Sequence, residues 1–144
     1  MIALIKKNSL IILALLFLTG CKNQENNKII KRDFKSKHNF EKRLEESTTI
    51  IAKYPERIPI ICERLTTKVA EIDRSKYLCP NDLSLGNFVY IIRKRIKMAP
   101  EEAIYLFVNE RILPVSKILG EIYEKYKDED GFLYIKYDSE ATFG

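Results

Sequence analysis

The sequence predicts an α+β fold, a mixed sheet with a helix packed across one face and a further helix added on the N-terminal side. Three observations predict it. Apolar residues recur at the helical period along Leu85, Phe88, Val89, Ile92 and Ile96. Short apolar runs bounded by Pro, Asn-Glu and Asp-Gly recur where strands would lie. The order along the chain is helix, two strands, helix, strand, short helix, strand, which is neither all-β nor a strict βα alternation.

Taken in order, residues 38–54 carry Phe40, Leu44, Ile50 and Ile51 among charges. Asn39 is a good N-cap, and Tyr54-Pro55 stops the helix. Residues 58–62 (IPIIC) form a short strand, and Pro59 places it at an edge or bulge. Residues 64–76 are polar with weak periodicity and read as a loop. Residues 77–80 (YLCP) are a second strand. Ser84 caps the main helix, which closes in Arg93, Lys94, Arg95 and Lys97. Cations in a last turn complement the helix dipole, so that cluster has a structural explanation.

Pro100 breaks the chain. Residues 104–108 (IYLFV) are continuously apolar and predict a buried central strand. Ser116 is expected to start another helix, carrying Ile118, Leu119, Ile122, Tyr123 and Tyr126. Gly120 weakens that helix by about 1 kcal/mol relative to Ala. Asp130-Gly131 marks a turn into a strand over 132–137, and the carboxylates of Asp128, Glu129 and Asp130 read as a solvated turn.

The first residues read differently. Lys6 and Lys7 precede an apolar run over 10–18 (LIILALLFL), then Leu18-Thr19-Gly20-Cys21. Nine apolar residues are too few for a membrane span, which needs about 20. The pattern is that of a secretory signal over 1–20. Its end resembles the lipobox of bacterial lipoproteins, which implies acylation of Cys21. Residues 21–32 (CKNQENNKIIKR) are polar and read as a tether. The compact domain is expected over 33–144.

The composition is 46% hydrophobic and 31% charged, which describes a globule rather than a disordered chain. The net charge of +5 suits anionic membranes or acidic peptides. No recognition-helix, zinc-knuckle or aromatic RNA-binding pattern points to nucleic acid. Cys21, Cys62 and Cys79 form no C-x-x-C pair, and His38 is the only histidine, so a metal site lacks ligands and no cofactor is expected. Cys62 and Cys79 read as small buried hydrophobes. A catalytic role has little support, because His38 has no nucleophile in its motif.

Several long motifs stand in order. They are Phe40-Glu41-Lys42-Arg43, the run from Tyr54 to Glu63 (YPERIPIICE), Lys76-Tyr77-Leu78, the run from Phe88 to Ile96 (FVYIIRKRI), Phe107-Val108-Asn109, the run from Asp128 to Tyr134 (DEDGFLY), and Thr142-Phe143-Gly144. They resemble the ubiquitin-like autophagy modifiers, the group of the GABA-receptor-associated protein and microtubule-associated protein light chain 3. The resemblance implies a β-grasp fold with a mixed four-stranded sheet and an N-terminal helical subdomain. It implies that the Gly144 carboxylate is activated by an E1-like enzyme with ATP and passed to an E2-like enzyme. It then ends as an amide on phosphatidylethanolamine, a membrane phospholipid. With glycine already last in the sequence, no trimming protease is expected.

The resemblance further implies capture of autophagy receptors through aromatic-x-x-aliphatic motifs, the peptide adding a strand to a sheet edge. The first pocket would be Glu46, Ile50, Pro59, Ile61, Lys76, Leu78 and Phe132. The second would be Tyr77, Cys79, Pro80, Leu83, Phe88 and Ile91. Arg57 and Lys76 would attract acidic flanks. Without the resemblance, Ile61, Leu78, Phe88 and Ile91 read as plain core residues. Two positions depart from the family pattern. Cys79 replaces a branched aliphatic residue, which implies a roomier, oxidisable pocket. Asn39 replaces a proline, which implies a looser helical part.

The two ends conflict, since lipoprotein export is bacterial and the conjugation cascade is eukaryotic. Two readings stand. One is a conjugatable modifier on autophagosomal membranes, anchored through Gly144. The other is a bacterial envelope lipoprotein, anchored through Cys21, that mimics the modifier and docks or sequesters host receptors.

Overall fold

The computed structural model describes residues 33–141. The expected export signal, the tether, Cys21 and Gly144 lie outside them. Helix α1 (Phe34–Lys37) and helix α2 (Phe40–Lys53) precede strands β1 (Arg57–Arg64) and β2 (Lys76–Pro80). Helix α3 (Leu85–Ile96), strand β3 (Tyr105–Val108), helix α4 (Leu119–Tyr126) and strand β4 (Leu133–Asp138) follow. The sheet runs β2-β1-β4-β3. Strands β1 and β4 are parallel, and the outer pairs are antiparallel. The expected mixed four-stranded sheet is therefore present.

Strand alternation divides the interior into two layers. Ile58, Ile60 and Cys62 of β1 face α3, where Leu85, Phe88, Ile92 and Ile96 complete the main core with Leu133, Ile135 and Tyr137 of β4. Ile61 faces the other way, into a smaller cluster with Phe34 and Phe132 that Ile50 and Tyr134 cover. Helix α2 packs on that second face. The Asn39 side chain accepts from the Lys42 N–H at 3.0 Å, so the departure from proline supplies a cap.

Several expectations are corrected. Pro59 lies in an interior strand, not at an edge or bulge. The bonds Asn81 N–H to Glu56 O (3.1 Å) and Cys62 N–H to Ser75 O (2.8 Å) fix which β1–β2 pairs exchange hydrogen bonds. Pro59 opposite Leu78 falls between them, so its nitrogen points toward β4. The β1–β4 register begins only at Ile60 opposite Leu133, so no ladder donor is lost. Conversely, β3 is an edge strand rather than a central one. Its Leu106, Phe107 and Val108 are buried because both faces of the sheet are covered. An apolar run reports burial of faces, not position in the sheet.

The expected loop after β1 contributes to the core. Val69 and Ile72 are buried, and the Tyr137 hydroxyl ties them down by accepting from Ile72 N–H (2.7 Å) and donating to Ala70 O (2.8 Å). Ser116 does not start a helix. Residues 114–117 form a turn, Ile118 bridges to Ser84 in extended form, and α4 begins at Leu119 with no side-chain cap. Gly120 lets that helix approach closely. Its N–H donates to Asn81 O at 2.8 Å, and an added Cβ would lie 3.0 Å from that oxygen.

Candidate functional site

The edge of β2 organises the candidate site. Strand β2 pairs with β1 alone, leaving its other side unpaired among the described residues. The same alternation that spares Pro59 turns the backbone groups of Lys76 and Leu78 outward. Pro80 ends this edge without an N–H. The Arg57 guanidinium donates to the outward Leu78 carbonyl at 3.4 Å.

The expected pocket residues fall on opposite faces of this edge. On the α2 face, Pro59 and Ile61 of β1 stand opposite Leu78 and Lys76 of β2. Ile61 and Phe132 share one buried cluster with Ile50 packed on it. Lys76 Nζ reaches Glu46 Oε1 at 2.5 Å, tying β2 to α2 across that face. All seven first-pocket residues are thus assembled around one region.

The second group lies toward α3. Tyr77 meets Phe88 edge-on, with ring centroids 5.6 Å apart, and Leu83 packs against the same core. Ile91 is half-buried, Cys79 is buried, and Phe88 is fully buried, so Phe88 forms a floor rather than a rim. Pro80 does not join them. By alternation it shares the α2 face with Lys76 and Leu78, opposite Arg57. Burial pushes the Cys79 thiol up to about 11, with Arg57 opposing weakly. A buried thiol raised in this way is little ionised at neutral pH, which slows the oxidation expected of that pocket. Cys62 is raised further, again by burial, and both cysteines are free.

The turn before β4 positions Phe132, and it is not the solvated turn the sequence suggests. Asp130 is 0% exposed. Its carboxylate accepts from Arg43 Nη1 (2.5 Å), Tyr134 Oη (2.5 Å) and Phe132 N–H (2.9 Å), while the Ser47 hydroxyl donates to its carbonyl. Burial and the hydrogen bond to Asp130 raise the Tyr134 phenol. Burial works to lower Arg43, but its bonds to Tyr134 and Asp130 prevail and raise it. Burial works to raise Asp128, but hydrogen bonds from Lys35 and the Asp130 N–H hold it below the usual carboxylate range.

Sequence reasoning missed three participants. Phe34 sits in the first-pocket cluster; the signal was Asp33, which caps α1 by accepting from Ser36 N–H at 3.0 Å. Arg43 and Asp130 lock α2 to the sheet; no local pattern announces a pair 87 positions apart. Among the described residues, no group of three His, Cys, Asp or Glu could hold a metal ion.

Comparison with known proteins agrees with this architecture. A family model described as "Autophagy protein Atg8 ubiquitin like" matches residues 42–144. The chain is 54% identical over 112 residues to Autophagy-related protein 8 of Mycosarcoma maydis, covering 77% of this chain and 95% of that protein. It is 53% identical over 116 residues to Autophagy-related protein 8 of Emericella nidulans, covering 80% and 98%. The crystal structure of Trypanosoma brucei ATG8 superposes with a TM-score of 0.72 at 44% identity, covering 80% of this chain and all of that one. Plasmodium falciparum Atg8, solved in complex with a Plasmodium falciparum Atg3 peptide, gives 0.73 at 34% identity, covering 78% and 99%. These matches lend no support to a bacterial lipoprotein.

Proposed function

Because the chain belongs to the Atg8 ubiquitin-like family, we propose that it is an autophagy modifier that captures aromatic-x-x-aliphatic receptor segments along the β2 edge. One observation carries this reading. The two groups of apolar residues lie on opposite faces of β2, whose outer side is unpaired among the described residues. In an extended guest, residues three apart point to opposite faces and are separated by about 10 Å. An aromatic at the first position then reaches the Ile50, Ile61 and Phe132 side. An aliphatic three positions on reaches the Tyr77, Cys79 and Leu83 side. Backbone groups of Lys76 and Leu78 supply the pairing. Arg57 and Lys76 attract acidic residues flanking the motif and mainly set the association rate.

The protein acts as a substrate of a conjugation cascade rather than as a catalyst. E1-like and E2-like enzymes carry Gly144 to phosphatidylethanolamine of autophagosomal membranes. A family member solved with an Atg3 peptide supports partnership with the conjugation machinery. Calorimetry with an acidic aromatic-x-x-aliphatic peptide is expected to show saturable binding, lost when both anchors are alanine. Purified E1-like and E2-like enzymes with ATP are expected to form a thioester that Gly144→Ala abolishes. No binding at millimolar peptide sinks the receptor role, and no loading beside a working control sinks the conjugation role.

A further inference from the structure

The Ile61 and Phe132 side of the first pocket is covered in this structure by the chain itself. Ile61 is 1% exposed and Phe132 2%, so neither offers open apolar surface. The side chain packed with them is Phe34, itself 5% exposed. Its ring meets Phe132 edge-on, with centroids 5.6 Å apart, and the Lys76 ammonium lies 5.1 Å from its centroid. A pocket wall would leave a face for the guest. Phe34 leaves none.

The segment that delivers Phe34 is built to leave. Helix α1 has four residues, far below the length at which a helix persists alone. Phe34 is its only buried residue. Its other ties are two ring contacts, Phe34 with His38 (centroids 4.7 Å apart) and the Lys35 ammonium 4.6 Å from the Tyr134 centroid, and a few polar contacts partly open to water. Phe34 N–H donates to Glu63 at 2.8 Å, Lys35 pairs with Asp128 at 2.5 Å, and Asp33 pairs with Lys136 at 3.8 Å. One apolar anchor held by a hydrogen bond and two partly exposed ion pairs is a displaceable contact, because such pairs contribute little each.

We propose that Phe34 is a built-in occupant of the first pocket, and that a receptor's aromatic side chain binds by displacing it. The inference rests on the receptor-capture reading above. The exchange conserves chemistry, since one ring leaves the Ile61, Phe132 and Lys76 surroundings and another enters. The apparent affinity is then reduced by the fraction of molecules in which α1 is lifted. Receptor segments would also be selected for how well their ring outcompetes phenylalanine.

The test uses the full chain and an acidic aromatic-x-x-aliphatic peptide followed by calorimetry. Phe34→Ala is expected to bind about tenfold tighter than the wild type, with a native circular dichroism spectrum. Lys35→Ala, which keeps the ring but removes the Asp128 tie, is expected to bind about twofold to threefold tighter. Hydrogen exchange at the Phe34 amide in the wild type is expected to accelerate on saturation with peptide. Unchanged or weaker binding by a folded Phe34→Ala overturns the proposal, as does a Phe34 amide that slows or holds constant. If Phe34→Ala does not fold, Lys35→Ala and the exchange rate decide. Binding by the wild type with no gain in either variant rejects the displacement alone. No binding by any of them rejects the receptor-capture reading along with it.

Discussion

Replacing Gly131 by alanine tests how the turn before β4 is held. Gly131 has φ +87°, a conformation that a residue with a Cβ adopts at a cost of roughly 1–2 kcal/mol. The added Cβ would lie 2.5 Å from Ser47 Oγ and 3.1 Å from Ser47 Cβ. The hydroxyl must therefore move, and it is the group that donates to the Asp130 carbonyl. Leaving that buried carbonyl unpaired adds about 1–3 kcal/mol. Gly131→Ala is expected to cost about 2–5 kcal/mol in urea unfolding with an unchanged m-value. Ser47→Gly removes both obstructing atoms and the shared hydrogen bond. In the double variant the losses should fall short of additivity by about 1 kcal/mol or more. A cost below about 1 kcal/mol for Gly131→Ala, or strict additivity of the two changes, would falsify this account of the turn.

Other outcomes follow from the same packing. Asp130→Asn keeps an acceptor for the Phe132 N–H but leaves Arg43 without its charge partner. Equilibrium unfolding is expected to show a loss of about 1.5–3 kcal/mol, the range for losing a hydrogen bond to a charged group at a part-buried pair. Asp128, whose pKa is depressed in the folded protein, stabilises above its unfolded value near 3.9, and that contribution disappears as pH falls through the folded value. Stability curves from pH 6 downward should therefore be flatter for Asp128→Asn than for the wild type; parallel curves would exclude the Lys35 tie. Cys62 and Cys79 are buried, and both thiols are raised. At neutral pH a thiol reagent should modify them at the rate of unfolding, and modification as fast as that of a free thiol would show that the second pocket opens in the native state.

Much of the fold was legible from local chemistry. Ser84 and Asn39 cap the helices where their side chains suggest, and Asp130-Gly131 turns the chain into β4. The apolar period of α3 faces the sheet. These features depend on residues near one another in sequence, so patterns within a few positions report them. The paired groups flanking β2 came from motif resemblance. On periodicity alone, Ile61, Leu78, Phe88 and Ile91 are indistinguishable from core.

What tertiary structure decided is which apolar surface is covered and by what. Residues 104–108 and Pro59 each suggested a place in the sheet, and strand order reversed both, because pairing partners come from distant parts of the chain. Asp130 looked solvated and is sealed by Arg43, Ser47 and Tyr134 from elsewhere. Phe34 was not singled out by the sequence and packs with Ile61 and Phe132 of the expected first pocket. The amino-acid order dictates where helices start and where strands run, since those choices are made by neighbours. Which side chains meet across the folded chain depends on contacts dozens of residues apart, and only the assembled sheet and helices bring those together.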